Sequence, residues 1–218
     1  MGGFFISNLK ILKTKGVILS LFDYSGNWSF PFSEGGFEVV QVDTKLGINI
    51  YDFEYQKLKN VVGILAAVPC TDFSNAGAHL WKLKDVDGRT EKSVNLANYT
   101  LDIIDYFEQK GTLKFWVIEN PVGRIEKLVP RLKNTIFLQF NPCDYGDGYT
   151  KKTRLWGDFN PFLVKTPVKP VKATLSRNGR SQGNMSIEMY YGVKSQKVRS
   201  ITPPGFSKAF YEAQLKIL

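Results

Sequence analysis

The seven-residue run Val61-Val62-Gly63-Ile64-Leu65-Ala66-Ala67 has no polar side chain, and it limits what this chain can become more than any other stretch. A strand with one wet face alternates polar and apolar residues; a strand apolar on both faces needs cover on both. The run is short for a helix and stops at Pro69, so it predicts an inner strand of a mostly parallel sheet with helices on both faces. Val17-Ile18-Leu19-Ser20-Leu21-Phe22 and Lys114-Phe115-Trp116-Val117-Ile118 have the same character. The expected fold class is therefore α/β. At 218 residues the chain fits one domain with a small appendage, large enough to bury a core without disulfides or metal.

The order of the pieces narrows the choice. After Phe22 the chain enters a turn-forming cluster, Asp23-Tyr24-Ser25-Gly26-Asn27, then a short helix from Trp28 to Glu34 stopped by Gly35-Gly36. A second strand, Phe37 to Val42, ends in Asp43. Strand, glycine-containing loop, helix, strand and terminal acid open a nucleotide-binding α/β fold, although Gly-x-Gly-x-x-Gly is absent. Asp43 is placed to accept hydrogen bonds from both hydroxyls of a ribose, and equally fits an ordinary strand-ending acid. Asp52 is a second acid that could accept from an adenine amine.

The central run delivers Cys70 to the carboxyl end of its strand, where open α/β sheets hold ligands. Loop residues Asp72 to Gly77 follow at once. Cys70 is thus a candidate nucleophile; the competing reading is a small buried hydrophobe. Apolar residues at helical spacing predict a helix over Arg89 to Gln109, closed by Gly111. The next strand, Lys114 to Ile118, ends in Glu119-Asn120-Pro121. A right-handed crossover puts Glu119 beside the Cys70 strand. A carboxyl group across from a thiol suits attack on a ring that is protonated as it is attacked. Glu119 could instead cap a helix over Arg124 to Leu132. A strand over Thr135 to Phe140 follows, then a long turn containing Cys143, then Thr150 to Gly157 as a β-hairpin arm bearing three cations.

Two cysteines and one histidine, His79, make neither a disulfide framework nor a zinc site, and no metal is expected. Met1 to Lys15 is basic without a signal-type apolar core, and no stretch nears the roughly 20 apolar residues of a membrane span. The expected setting is a reducing cytoplasm. The net charge of +9 points to a polyanionic partner. Most of it lies between Asp158 and Arg199, with eight Lys+Arg against two Asp+Glu. There Lys165, Lys169, Lys172, Arg177, Arg180, Lys194 and Lys197, with Tyr190 and Tyr191 among them, fit contact with a nucleic-acid backbone. A solvated linker is the alternative. Composition thus divides the chain into 1–157, a basic and partly flexible segment over 158–199, and a closing segment over 200–218.

Across about residues 17–157, and again over Ser200 to Ala213, order and spacing resemble the DNA cytosine-5 methyltransferases. Four motifs carry the resemblance. They are Leu21-Phe22-Asp23-x-x-Gly26-Asn27-Trp28-Ser29, Pro69-Cys70-Thr71-x-Phe73-Ser74, Glu119-Asn120-Pro121-Val122-Gly123-Arg124, and Thr150-Lys151-x-Thr153-x-Leu155-Trp156-Gly157. They are most similar to a short phage and prophage branch. The resemblance implies a class I, Rossmann-like methyltransferase that uses S-adenosylmethionine, with 1–157 as its catalytic core and 200–218 returning to that core. It also implies the cytoplasm of a bacterial or phage-infected cell. Cys70 would attack carbon 6 of cytosine, Glu119 would hydrogen-bond ring nitrogen 3 and the amine, and Lys151 and Arg154 would stabilise the thiolate. Phe22 would stack on adenine, Asp43 hold the ribose and Asp52 meet the adenine amine. Asp23, Ser25, Gly26, Asn27, Trp28, Thr44, Pro69, Ser200 and Thr202 complete the implied cofactor site. The DNA cytosine would be flipped out of the duplex or single-stranded.

Three departures stand out. Tyr24 replaces the first glycine of the loop. The arm has Lys151-Lys152-Thr153 where the family has arginines, with Arg154 displaced by one. Only residues 158–199 stand where a large recognition domain is usual, which implies little sequence recognition or an auxiliary protein. The rival readings are an enzyme using the same thiol chemistry on a cytosine nucleotide, and an inactive DNA-binding relative.

Overall fold

A computed structural model describes residues 14–173, 183–193 and 196–218, apart from the side chains of 196 and 197. Six strands form one sheet: β1 Val17–Leu21, β2 Glu38–Val42, β3 Val61–Ala66, β4 Phe115–Pro121, β5 Ile136–Phe140 and β6 Thr153–Asp158. Their order is β2-β1-β3-β4-β6-β5. The first four run parallel; β6 enters antiparallel between β4 and β5. The wholly apolar run becomes β3, an inner strand with every residue buried.

Helices cover both faces. The helix α3, Arg89–Gln109, lays Ala97, Leu101, Ile104 and Phe107 against one face, because residues three and four apart share a side. Gly111, at φ 70°, ends it as expected. On the other face α1, Phe30–Glu34, and α7, Pro204–Gln214, close an aromatic core. Trp28 packs its ring against Phe206 and Phe210, and Phe32 against Tyr211. Each such ring, fully buried, contributes about 1.5–3 kcal/mol. The remaining helices are short: α2 Trp81–Val86, α4 Ile125–Leu128, α5 Ile187–Tyr190 and α6 Gln196–Arg199.

Two expectations are corrected. The helix over Arg124 to Leu132 splits into α4 and a 3-10 turn at Pro130–Leu132. Pro130 disfavours a helical residue before it, and Val129 is extended at φ −121°, ψ 81°. The strand expected to stop at Ile118 runs on to Pro121, because β6 pairs Leu155, Arg154 and Thr153 with Glu119, Asn120 and Pro121. The arm over Thr150 to Gly157 forms a hairpin with β5 as expected, most of it being β6, which lies inside the sheet with Leu155 and Trp156 buried.

Beyond β6, Phe159 is buried and Asn160 exchanges hydrogen bonds with Gln214 (2.8 and 3.1 Å). The described parts of the basic segment lie against the loop before β6. Val171 N–H donates to the Gly148 carbonyl (2.8 Å), Met185 N–H to that of Val171 (2.8 Å), and Thr150 N–H to that of Met185 (3.0 Å). Among the described residues no helix is long and apolar enough to cross a membrane.

Candidate active site

The chain leaves β3 and turns tightly at Cys70, whose carbonyl accepts from the N–H groups of Phe73 (3.1 Å) and Ser74 (2.9 Å). This turn is stitched to the residues after β4. Asn75 N–H donates to the Val122 carbonyl (3.0 Å), and Arg124 N–H to that of Phe73 (2.9 Å). The approach requires glycine at 123, where an added Cβ would lie 1.9 Å from the Phe73 carbonyl oxygen. Beneath the turn, Lys84 is 3% exposed; its ammonium lies 3.1 Å from the buried Asp72 carboxylate and donates to the Thr71 carbonyl. Ser93 donates to the same carboxylate (2.6 Å), and Arg124 Nε to the Asp72 carbonyl (3.0 Å). Arg124 also bonds Asp85 and Thr90 and stacks over Trp81. The backbone just after Cys70 is thereby fixed.

On the neighbouring strand, buried Asn120 donates to the Val68 carbonyl (2.8 Å), fastening the end of β4 to the residue two before Cys70. Strand alternation turns Glu119 to the opposite face, the face of its cross-strand partner Leu155. Glu119 therefore lies within β4 and does not cap α4. Lys151 stands just before β6, where the Lys152 carbonyl accepts from Val122 N–H (3.1 Å).

Burial pushes the Glu119 carboxyl above the usual carboxylate range, and the Lys151 ammonium tempers the rise. Burial likewise pushes the Cys70 thiol up and the Glu119 charge adds to it, while Lys151 and Arg199 pull it down. The thiol, carboxyl and ammonium thus share one field. Such a set can protonate a ring acceptor while a thiolate attacks the ring.

Arg154 does not join them. Its Nε donates to Gln139 (3.1 Å), it lies 3.9 Å from a Glu126 carboxylate oxygen, and it sits near the Phe137 ring. It pairs across the ladder with Asn120, so it is on the other sheet face from Glu119. A displacement of one residue reverses the side a strand residue faces, which corrects its expected place beside the thiol. Arg199, which the sequence did not single out, takes a position in the field; nothing in its spacing marks it among the other cations of the basic segment.

The expected cofactor residues divide into surface and support. Phe22, half-buried, adopts φ 62°, a left-handed conformation uncommon for a bulky side chain and frequent at ligand sites. Gly26, at φ 70°, and exposed Ser25 line a hollow of about 340 Å³ with Asn27. Asp43 accepts from Lys45 N–H (2.8 Å) through Oδ1, leaving Oδ2 without a partner among the described residues. It is both the ordinary strand-ending cap and an open acceptor. Thr44 follows it, exposed. Exposed Asp52, held by Asn49 (3.0 Å), lines a second hollow of about 530 Å³, within the range of ligand pockets. These acceptors at the ends of β1 and β2 fit an adenosine-type group.

Asp23 and Trp28 serve the scaffold. The Asp23 carboxylate accepts from Ser20, Ser25 and Ser29, and the Trp28 ring is fully buried beneath α7. Pro69 is exposed next to Cys70, Ser200 is exposed, and Thr202 is buried ahead of α7. Neither hollow includes Cys70; the thiol is located by its strand end and its electrostatic neighbours. Lys165, Lys169 and Lys172 are exposed. Arg177, Arg180, Lys194 and the side chain of Lys197 lie outside the described residues.

No family model matches the chain. Over 166 residues, 68% of this chain and 73% of the relative, it is 31% identical to "Probable DNA (cytosine-5)-methyltransferase" of Frog virus 3 (isolate Goorha). It is also similar to two solved structures. The Entamoeba histolytica methyltransferase EhMeth is 14% identical, with a TM-score of 0.44, over 73% of this chain and 59% of that one. A mutant of Spodoptera frugiperda DNMT2 is 23% identical, with a TM-score of 0.43, over 78% of this chain and 57% of that one.

Proposed function

The chain belongs to the DNA (cytosine-5)-methyltransferase family, and from that premise we propose that it methylates carbon 5 of cytosine in DNA through Cys70. The observation that carries this reading is the meeting of Cys70, Glu119 and Lys151 at the ends of adjoining strands.

Lys151 favours the thiolate of Cys70, which forms a bond to carbon 6. Glu119, held towards its protonated form by burial, gives its proton to ring nitrogen 3 and makes carbon 6 electrophilic. S-adenosylmethionine would supply carbon 5 with an electrophilic methyl group, the sulfur keeping the bonding pair. Loss of the carbon 5 proton to water then re-forms the ring double bond, expels the Cys70 thiolate, and returns the nitrogen 3 proton to Glu119. Asp43 would hold the ribose, Asp52 the adenine amine and Phe22 the adenine face.

A thiol at a cleft cannot reach a stacked base, so the cytosine is taken flipped out or single-stranded. Exposed Lys165, Lys169 and Lys172 support contact with the DNA backbone; Arg177, Arg180, Lys194 and Lys197 belong to the same basic segment. That segment is small, so target choice falls to DNA context or to an auxiliary protein. A working free thiol argues for a reducing compartment such as the cytoplasm.

The test is transfer of labelled methyl from S-adenosylmethionine to cytosine-containing DNA, with dCMP as a parallel substrate. Transfer to DNA, lost in Cys70→Ser, is expected. Undiminished transfer by that variant would remove Cys70 from the mechanism, and transfer to dCMP alone would replace DNA with a nucleotide.

A further inference from the structure

An aromatic cluster stands where the basic segment meets the loop before β6. Tyr149, fully buried, holds the ring of Tyr190 at 5.1 Å and that of Tyr191 at 6.1 Å, and these two rings meet edge to face at 5.3 Å. Only glycine at 148 lets Tyr190 come this close, since an added Cβ would lie 3.0 Å from its ring and 3.1 Å from Val171. Tyr190 and Tyr191 are nevertheless 41% and 40% exposed. They are two rings fixed from beneath and open to solvent above.

Backbone bonds locate the cluster beside the reactive edge. Two residues after Tyr149, Lys151 precedes β6, and its ammonium donates to the Arg199 carbonyl (3.0 Å). The Lys152 carbonyl accepts from Val122 N–H (3.1 Å), and the next residue, Gly123, bridges to Ser74 in the Cys70 turn. On the other side, Val171 N–H donates to the Gly148 carbonyl (2.8 Å), which sets exposed Lys169 and Lys172 against the same loop. The carboxylates nearby are engaged, Glu188 with Arg199 (3.3 Å) and Asp147 with Gly205 N–H (3.3 Å). The rings therefore lie between exposed ammonium groups and the turn that carries the thiol.

We propose that Tyr190 and Tyr191 are a stacking platform for an unpaired base beside the target cytosine, which makes single-stranded DNA the preferred substrate. This rests on the reading of the chain as acting on DNA. Lysines alone would serve any polyanion by contact with its phosphates. Rings among them select a polyanion whose base faces are free. In a duplex only base edges are open, in the grooves, whereas every base of a single strand offers a face.

The test is fluorescence anisotropy, without cofactor, on a labelled single strand with a central cytosine and on its duplex. The single strand should bind more tightly. Tyr190→Leu and Tyr191→Leu keep an apolar side chain over Tyr149 but lose the ring. Each should weaken single-strand binding about tenfold, the size of one lost base stack, and leave duplex binding and the salt slope unchanged. Tyr→Phe at either position should bind like the wild type, because the face stacks and the hydroxyl does not. An abasic nucleotide moved along the strand should cost the wild type about tenfold at a position beside the cytosine, and cost the double Leu variant nothing there. No such position in the wild type, the same abasic cost in the double variant, or an equal loss on duplex would overturn the proposal. A strand bound with this abasic pattern but never methylated would end the reading of an active methyltransferase and leave the platform. Methylated DNA bound without the pattern would remove the platform alone.

Discussion

Lys84 is the substitution whose effect the structure sizes best. The residue is 3% exposed, and its ammonium lies 3.1 Å from an Asp72 carboxylate oxygen and donates to the Thr71 carbonyl. Lys84→Met keeps nearly the same length but leaves Asp72, 8% exposed, as a buried carboxylate with only the Ser93 hydroxyl on its side chain. Removing one partner of a buried pair costs about 3–5 kcal/mol, because the other charge stays desolvated. Against a total of about 5–15 kcal/mol for a domain, the variant should unfold at a much lower urea concentration. Adding Asp72→Asn removes the stranded charge, keeps an acceptor for Ser93 and should recover about 1–2 kcal/mol, a coupling that a double-mutant cycle reads. A loss below about 1 kcal/mol in the single variant, or a double variant no more stable than the single, would refute the argument. The same variant frees the backbone beside Cys70, so methyl transfer should fall further than the folded fraction does.

Gly123→Ala forces a methyl to within 1.9 Å of the Phe73 carbonyl oxygen. It should cost about 1–3 kcal/mol and separate the Cys70 turn from β4, measurable as lost transfer in protein that is still folded. Burial holds the folded Glu119 carboxyl above its unfolded value, so its contribution is complete at low pH and is lost as pH rises through the folded value. Glu119→Gln should flatten that decline in urea midpoints as pH rises. Glu119→Gln also removes the charge that raises the Cys70 thiol, so alkylation should shift to lower pH while methyl transfer falls about 10²–10⁴-fold. Thiol reactivity that falls along with transfer would contradict this. Asp43→Ala should weaken S-adenosylmethionine binding in titration calorimetry by at least about tenfold, the size of one lost hydrogen bond to a carboxylate. Unaltered binding would return Asp43 to its role as the cap over Lys45.

Much of the scaffold was readable because it follows from local pattern. The run at Val61 is an inner strand, and the helix from Arg89 to Gln109 begins and ends at the expected residues. Cys70 and Glu119 stand at neighbouring strand ends because a right-handed crossover leaves little other choice. What escaped depends on partners distant in sequence. The side to which Arg154 points is set by its register with Asn120 and Gln139, which no local spacing encodes. Trp28 follows the loop after β1 in sequence, yet α7, far along the chain, supplies the aromatic cover that turns it inward. Asp23 looks like a ligand-facing acid until Ser20, Ser25 and Ser29 converge on it. Arg199 reaches Lys151 across 48 residues of chain.

The reversed direction of β6 has a consequence for how this site is assembled. In an all-parallel sheet only the loops that leave strands reach the ligand edge; the loops that arrive open onto the opposite rim. One reversed strand brings an arriving loop to the reactive edge as well, here residues 141–152 with Lys151 at its end. That loop is tied to the end of β4 by the hydrogen bond from Val122 N–H to the Lys152 carbonyl, and to the core by buried Tyr145 and Tyr149. The thiol and carboxyl are bound to the geometry of the inner parallel strands, whereas the cation that tunes them comes in on the one strand that runs against them.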